Sequence, residues 1–313
     1  MMTMKGPGRA GAVATTTLLA PISWGTTYIT ITELLPAGRP LLVASMRVVP
    51  AGIALVVAAR FVSPWRPRGR EWWRMAALAL FNFGLFFPLL AVAVYRLPGG
   101  VAAAAGGIQP LLVATLTWLV TRRPPRPRDL AIGAVAALGV ALVVVRPHAG
   151  IDPVGVLAAL AANVSFATGV VLTKRLPAPP NRLAATAWQL LLGGALLVPL
   201  MLVVEGAPPA PSVQNVVGFA YLSLVGTALA FMLWFNGIRR LPTSAPPLLG
   251  LASPITGATI GWLLLGQALS PVQVLGFAVT ISAIAYGATI AARDLPMVVP
   301  RPFGALSTAS MRG

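Results

Sequence analysis

Stretches of about 20 apolar residues recur along the whole chain, and short segments between them carry most of its charge. A helix rises about 1.5 Å per residue, so a run of this length covers a hydrocarbon layer of ~30 Å. Charged residues make up only 9% of the 313 residues, whereas a soluble protein carries about a quarter. So little charge does not cover a soluble surface, and we expect the chain to be embedded in a lipid bilayer.

Ten apolar runs are bounded by charges, proline or glycine, and they predict ten transmembrane helices. The first five lie near residues 12–32, 40–59, 75–95, 100–120 and 130–146, and the second five near 153–172, 184–204, 216–238, 244–265 and 272–292. Lys5 and Arg9 precede the first run, as in a secretory signal peptide, but no soluble domain follows it. We therefore interpret this run as the first permanent helix. The predicted fold class is all-α integral membrane.

The basic residues are distributed asymmetrically between alternate loops. If the N-terminus is cytoplasmic, 19 Lys and Arg residues lie on the cytoplasmic side and 3 on the opposite side, while Arg47 lies within a span. An excess of positive charge in short loops marks the cytoplasmic side of a membrane protein. We expect a multi-pass protein of the cell membrane with both tails, 1–11 and 293–313, in the cytoplasm, and the second tail disordered.

The net charge of +17 also suggests a nucleic-acid partner, but the basic residues occur in short clusters between apolar runs. We interpret these clusters as topology signals and expect no nucleic-acid partner. The chain has no cysteine and one histidine, His148, in a loop with proline and glycine. This composition excludes disulfides and leaves almost no residues for a His-based metal site, so we expect no metal and no cofactor.

The chain contains an internal repeat. At an offset of 144, Arg96-Leu97-Pro98 matches Arg240-Leu241-Pro242, Gly106 matches Gly250 and Pro110 matches Pro254. At an offset of 142, Ser23-Trp24 matches Ser165-Phe166 and Arg47 matches Gln189. We expect two repeats, 12–147 and 153–292, of five helices each. Because five is odd, the second repeat enters the membrane from the opposite side, which is the inverted repeat of many secondary transporters.

Several motifs resemble the drug/metabolite transporter superfamily in its EamA-type form, which has ten helices in two five-helix repeats. They are Ser23-Trp24-Gly25, Leu97-Pro98 with Gly106-Gly107-Ile108-Gln109-Pro110, Trp188-Gln189 with Gly193-Gly194, and Ser253-Pro254 through Gly261-Trp262 to Ser270-Pro271. The resemblance covers nearly the whole chain except the tails. It implies export of amino acids, related metabolites or drugs. The family often has Gly-Glu after the fourth and ninth helices, where this chain has Thr121-Arg122 and Gly266-Gln267.

Polar and aromatic side chains within the predicted spans are the candidates for a solute site between the repeats. Arg47 is the only charge well inside a span, where it could bind a solute carboxylate, hold an opposing helix or extend to an interface. Amides within membrane helices either contact a solute or bond to a neighbouring helix, and aromatic residues often line small-molecule sites. The candidate substrate-binding residues are Ser23, Trp24, Tyr28, Arg47, Asn82, Gln109, Asn163, Phe166, Gln189 and Tyr221.

The class of function follows from what the sequence contains. Membrane-embedded enzymes need convergent carboxylates, a histidine cluster or an activated nucleophile, and the six acidic residues of this chain all fall near the ends of the runs or in loops. We therefore expect a secondary transporter of a small-molecule solute that works by alternating access. An enzyme that acts on a lipid-linked substrate is the alternative, and a channel also stays open. The oligomeric state stays open as well, with a homodimer as one alternative.

The charge asymmetry predicts the topology of the chain. Reporter fusions in the loops after Glu33, Arg146 and Glu205 should lie outside the cytoplasm, and fusions after Arg70, Arg126 and Arg240 should lie inside. Alkaline phosphatase and fluorescent-protein fusions measure the two locations. A cytoplasmic signal from the first three loops would overturn the orientation.

Overall fold

The computed structural model describes residues 7–62, 64–97, 102, 105–144, 152–265 and 270–293, and the regular elements in these residues are all helical. We number ten spans in chain order. The first repeat contains span 1 (Pro7–Gly25 and Thr27–Leu34), span 2 (Pro40–Val62), span 3 (Glu71–Ala79, Leu80–Gly84 and Phe86–Arg96), span 4 (Ala105–Ile108 and Gln109–Thr121) and span 5 (Pro127–Val144).

The second repeat also contains five spans, although span 6 is one continuous helix where span 1 is two. It contains span 6 (Pro153–Arg175), span 7 (Arg182–Val204), span 8 (Val213–Ser223, Leu224–Leu229 and Ala230–Arg240), span 9 (Ala245–Gly250 and Ala252–Leu265) and span 10 (Pro271–Arg293). Spans 2, 3, 6, 7 and 8 are long and apolar enough to cross a membrane by themselves. The all-α membrane fold with two five-helix repeats therefore agrees with the sequence.

The observed helices begin and end close to the expected residues. The largest difference is in span 1, which begins at Pro7 rather than near residue 12, so that part of the expected N-terminal tail is helical. The C-terminal tail after Arg293 lies outside the described residues, as do the loop with His148 and the Gly266-Gln267 pair.

Helix starts coincide with residues that satisfy free backbone N–H groups. The Asp152 side chain accepts from the N–H groups of Val154 and Gly155, and Pro153 is the first helical residue of span 6. The side chain of Asn181 caps span 7 in the same way, and Ser212 forms a capping box with Asn215 at the start of span 8. Such caps stabilise a helix at the point where it lacks intrahelical partners.

The N-terminus of span 2 is capped by a carboxylate that is distant in the sequence. Glu205, which follows span 7, accepts hydrogen bonds from the backbone N–H groups of Leu41 (2.6 Å) and Leu42 (2.9 Å). Arg39 in turn donates to the backbone carbonyls of Glu205 and Ala207. The start of span 2 therefore meets the end of span 7, so these two equivalent spans are antiparallel. Antiparallel equivalents are the mark of an inverted repeat.

The packing of the spans follows the same two-fold relation. Span 2 packs on span 7 and span 5 on span 10, and each of these pairs joins equivalent elements. Span 3 packs on span 6 as span 8 packs on span 1, and span 4 packs on span 6 as span 9 packs on span 1. A pseudo-two-fold axis therefore runs between spans 1, 3, 6 and 8, in the middle of the molecule.

Spans 3 and 8 each contain a short π-helical segment in the same place. The segments are Leu80–Gly84 and Leu224–Leu229, and their first residues are separated by the repeat offset of 144. A π segment adds one residue to a helical turn and is frequent at functional sites. Because the segment occurs in both repeats, it belongs to the common architecture of the two halves.

An ion pair joins the two repeats at the start of span 6. Arg96 Nη1 lies 3.0 Å from Asp152 Oδ2, and both side chains are partly exposed. The hydrogen bond from Arg96, followed by the backbone N–H of Val154, lowers the pKa of the Asp152 carboxyl. The carboxylate is therefore ionised at neutral pH and acts both as a helix cap and as a partner for the end of span 3.

Close contact between spans 1 and 9 depends on Gly25. A methyl group at Gly25 would lie 2.7 Å from the backbone oxygen of Ser253 and 2.5 Å from Cβ of Thr256, so span 9 would have to move. We expect Gly25→Ala to lower the free energy of unfolding by about 1 to 3 kcal/mol through overpacking. The thermal midpoint in detergent measures this effect.

Gly11→Ala is the matched control in the same span, because no atom lies within 4 Å of the added methyl group. We expect this variant to unfold at the temperature of the unsubstituted chain or slightly above it. Equal stability of the two variants would contradict the close approach at Gly25.

Candidate functional site

A cavity of about 90 Å³ lies on the pseudo-two-fold axis and is lined by both repeats. Spans 1, 2, 3 and 4 contribute Trp24, Thr27, Tyr28, Arg47, Phe86, Leu90, Gly106 and Gln109, and Ala102, which precedes span 4, also lines the cavity. Spans 6, 8 and 9 contribute Asn163, Phe166, Trp234, Pro247, Gly250, Ser253 and Pro254. We call this space the central cavity. Its location between inverted repeats is where secondary transporters hold their solute.

Equivalent residues of the two repeats face each other across the central cavity. At the offset of 144, Gly106 corresponds to Gly250, Gln109 to Ser253 and Leu90 to Trp234, and all six line the cavity. At the offset of 142, Trp24 corresponds to Phe166, and these two rings touch each other at 5.7 Å, edge to face. The two repeats therefore contribute equivalent residues to the lining of one cavity near the axis.

Aromatic rings form one wall of the central cavity. Phe166 stacks on Phe86 at 4.7 Å and lies 6.1 Å from Trp234 in a stacked arrangement. Trp24 contacts Trp234 at 5.1 Å, and its indole N–H donates to the carbonyl of Gly226 at 3.0 Å. Rings in such contact gain both from burial and from their offset or edge-to-face geometry. The wall provides a rigid apolar surface for a solute.

Arg47 also lines the central cavity and is only 3% exposed. Its Nε donates to Thr227 Oγ1 at 2.8 Å, and its Nη2 donates to the carbonyl of Gly226 at 3.0 Å and to Thr27 Oγ1 at 3.4 Å. The guanidinium carbon also lies 4.3 Å from the centre of the Phe87 ring, a contact that stabilises a desolvated cation by roughly 2 kcal/mol. The π segment of span 8 therefore supplies the main partners of this buried charge.

The two amides of the cavity bond to each other. Gln109 Nε2 donates to Asn163 Oδ1 at 3.0 Å and lies 3.2 Å from the backbone oxygen of Asn163. Asn163 Nδ2 donates to the carbonyl of Ala159 at 2.8 Å. The pair links spans 4 and 6, which is one of the two uses that the sequence left open, and both residues also line the cavity.

Six of the sequence-predicted residues come together at the central cavity, namely Trp24, Tyr28, Arg47, Gln109, Asn163 and Phe166. Ser23 and Tyr221 lie outside its lining. The Ser23 hydroxyl donates to the carbonyl of Ala20, and the Tyr221 hydroxyl bonds Thr26 Oγ1 at 2.7 Å. Asn82 is fully buried against Gly169, and Gln189 faces Met75, with 3.9 Å between its Nε2 and the sulfur. The cavity therefore differs from the expected site at these four positions.

Ten residues of the lining were absent from the sequence prediction. They are Thr27, Phe86, Leu90, Ala102, Gly106, Trp234, Pro247, Gly250, Ser253 and Pro254. The repeat itself held a signal for some of them, because Gly106 and Gly250, and Gln109 and Ser253, align at the offset of 144. Leu90 and Trp234 also align at this offset.

A larger cavity of about 590 Å³ lies at one end of the bundle. It is formed by the end of span 4, the turn to span 5, the end of span 6 and the start of span 9, and we call it the vestibule. Its charged lining residues are Arg123, Arg126, Asp129 and Arg175. Pro247 lines both spaces, and Pro110 of the vestibule follows Gln109 of the central cavity. A thin layer at these prolines therefore separates the vestibule from the axis.

Comparison with known proteins assigns the chain to a family. The profile of the EamA-like transporter family matches residues 12–145 and 153–287, one copy for each repeat. The chain belongs to the EamA-like transporter family. Membership agrees with the resemblance seen in the sequence and with the ten spans, and it makes the chain a multi-pass membrane transporter.

Individual relatives agree with the family assignment. The chain is 38% identical over 267 residues to protein PecM of Dickeya dadantii, which covers 85% of this chain and 88% of PecM. It is 28% identical to the WAT1-related protein At3g02690 of Arabidopsis thaliana, over 86% of this chain and 68% of that protein. It is 24% identical to the uncharacterized inner membrane transporter YedA of Escherichia coli, over 84% and 86% of the two chains.

A solved crystal structure shares the fold with this chain. It superimposes with a TM-score of 0.74 at 18% identity, and the match covers 91% of this chain and 98% of the other. Among the described residues, no group of three or more His, Asp or Glu side chains could hold a metal ion. The chemistry of the central cavity therefore depends on its aromatic wall, its amide pair and its arginine.

Thr227 holds the buried Arg47 in place, because its hydroxyl accepts from Arg47 Nε and donates to the carbonyl of Leu222 at 2.8 Å. We expect Thr227→Val, which keeps the shape, to leave a buried donor without a partner and to cost about 1 to 3 kcal/mol of stability. Thermal unfolding in detergent measures the loss. Thr168→Val is the matched control, because the Thr168 hydroxyl bonds only within its own helix at an exposed position. Equal midpoints for the two variants would show that Arg47 does not depend on this bond.

Proposed function

We propose that the chain is a secondary transporter that exports small metabolites, such as amino acids, related metabolites or drugs, by alternating access through the central cavity. The observation that carries this proposal is a cavity on the axis of an inverted repeat, lined by both halves. In an inverted repeat the two halves exchange conformations, and this exchange opens a fixed site to each side in turn. The direction of transport comes from the family resemblance.

The lining supports a binding site more than a catalytic one. Within the described part of the chain, the cavity wall contains aromatic rings, amides, an arginine, small residues and prolines, and it contains no carboxylate and no histidine. General acid–base or metal-assisted hydrolysis needs one of these groups. A mostly apolar cleft with a few oriented polar groups is instead typical of a small-molecule site.

The proposed steps use the residues already described. A solute leaves the vestibule, passes the layer of Pro110 and Pro247, and places its apolar part on Trp24 and Phe166. Bonds that cross between the halves, such as that from Arg47 to the carbonyl of Gly226, hold the halves in one arrangement. The halves then rock about the solute, which leaves on the other side.

Purified protein in liposomes tests the proposal directly. Uptake and release of amino acids and aromatic metabolites would be measured with and without a pH gradient, against empty liposomes. We expect saturable flux of at least one solute. The absence of flux for the whole panel, together with turnover of a lipid-linked substrate, would favour the enzyme.

A variant that fills the cavity sharpens this test. Gly106 lines the central cavity and no atom lies within 4 Å of an added Cβ, so Gly106→Leu places four carbons in the open space. We expect flux to fall by about 10-fold or more, because the solute loses contact area and orientation, while abundance in the membrane stays constant. Gly11→Leu is the control, because Gly11 has the same free space and lies outside the cavity. Normal flux in Gly106→Leu would place the solute path elsewhere.

A further inference from the structure

We propose that the preferred solute is an organic anion whose carboxylate pairs with Arg47. This inference rests on the proposed function and names the chemical class of its solute. It is carried by two separate features, a buried cation without an acidic partner in the central cavity and a vestibule rich in arginine. The same ligand chemistry explains both.

Arg47 lacks an acidic counter-charge in the described part of the chain. Its three hydrogen bonds go to neutral oxygens, on Thr227, Gly226 and Thr27. Its remaining nitrogen, Nη1, makes no bond to the described residues, and no Asp or Glu lines the cavity. A buried guanidinium presents donors in a planar fork that fits a carboxylate. A bound carboxylate would neutralise the charge of Arg47 and accept a hydrogen bond from its Nη1.

Comparison of the two repeats shows that Arg47 has no basic equivalent in the second repeat. Half of the sixteen lining residues occur in equivalent pairs. The equivalent of Arg47, however, is Gln189, which is neutral and faces Met75 outside the cavity. The duplicated architecture therefore does not require a cation at this level. Its presence on the axis in one repeat alone indicates a role in binding.

A second donor lies at the same wall. Tyr28 lines the central cavity beside Arg47, and its hydroxyl makes no hydrogen bond to the described residues. The rings of Trp24, Phe86 and Phe166 line the same cavity, and the Trp24 indole shares the carbonyl of Gly226 with Arg47. A solute with an acidic end and an apolar or aromatic body would match the polar groups and the rings at once.

The vestibule extends the positive field to the end of the bundle. Arg123, Arg126 and Arg175 line it, and the acidic residue in the lining, Asp129, is 3.7 Å from the guanidinium of Arg128. Clefts lined by charges of one sign raise the local concentration of the opposite ion and increase its rate of association. An anion would therefore be attracted to the vestibule and then held by Arg47. A cation would be repelled at both places.

Four probes with one aromatic body separate charge from shape. They are N-acetylphenylalanine (anion), phenylalanine (zwitterion), N-acetylphenylalanine amide (neutral) and phenylalanine amide (cation). Equilibrium binding to the full chain in detergent is measured first, so that the result does not depend on transport. We expect the anion to bind at least about 10-fold more tightly than the neutral probe, as one charge-assisted hydrogen bond provides. Equal or weaker binding of the anion would overturn the inference.

Arg47→Gln and Arg47→Lys test the residue itself. We expect Arg47→Gln to abolish the preference for the anion while the neutral probe keeps its affinity, and Arg47→Lys to retain part of the preference. A purely structural role of Arg47 would instead lower the amount of folded protein and weaken all four probes alike. That result would contradict the pairing.

The rate of transport at low and high salt tests whether the vestibule attracts the anion. In liposomes, Arg123→Gln combined with Arg175→Gln should lower kcat/KM for the anion at low salt, and the difference should shrink at high salt because ions screen the field. Arg70→Gln, an exposed arginine away from the vestibule, should change nothing. An unchanged rate in the double variant would show that the vestibule does not steer the anion.

If the anion binds through Arg47 but no probe crosses the membrane, the proposed transport fails while the anion site stands.

Discussion

The interior of a bilayer offers no water to a polar group, and this constraint determines both where the chain is helical and where it departs from the α-helix. A backbone group without a partner in hydrocarbon costs several kcal/mol, so lipid-facing segments keep their intrahelical bonds. The departures lie in spans that line the central cavity: the break at Thr26, the segment Ala105–Ile108, the break at Leu251 and the π segments Leu80–Gly84 and Leu224–Leu229. At the last of these, the carbonyl of Gly226 is used by Trp24 and Arg47. At this segment, protein side chains thus provide the hydrogen bonds that the irregular backbone does not make within its own helix.

Apart from the break at Thr26, which has no counterpart in the continuous helix of span 6, the internal repeat explains why these departures coincide in space. Both π segments begin at residues separated by 144 positions, and equivalent rings meet at the axis, as Trp24 does with Phe166 and Phe87 does with Phe231, at 5.8 Å. A residue near the axis in one repeat brings its equivalent near the axis in the other. Irregularities that were copied with the repeat therefore converge on one space. The central cavity is a consequence of duplication combined with inversion.

The sequence predicted the spans well because hydropathy and charge report directly on the lipid environment. It predicted the site only in part, because the face that a residue presents depends on helix rotation, which the average hydropathy of a span does not report. Span 8 illustrates the reason. Tyr221 precedes the π segment and was expected in the cavity, whereas Trp234 follows the segment and is found there. The inserted residue of a π segment shifts the helical phase, and the aromatic character by which Tyr221 was chosen does not report that shift.

Arg47 differs from the rest of the site because it breaks the symmetry that built the cavity. It belongs to the first repeat, yet its bonds to Thr227 and Gly226 lie in the second, so these bonds connect the two halves that the proposed mechanism moves. A ligand shifts a conformational equilibrium only through contacts that differ between the two states. A carboxylate that binds Nη1 of Arg47 would share the guanidinium group with the bonds that join the halves. One residue would then connect recognition of the solute with the movement that carries it.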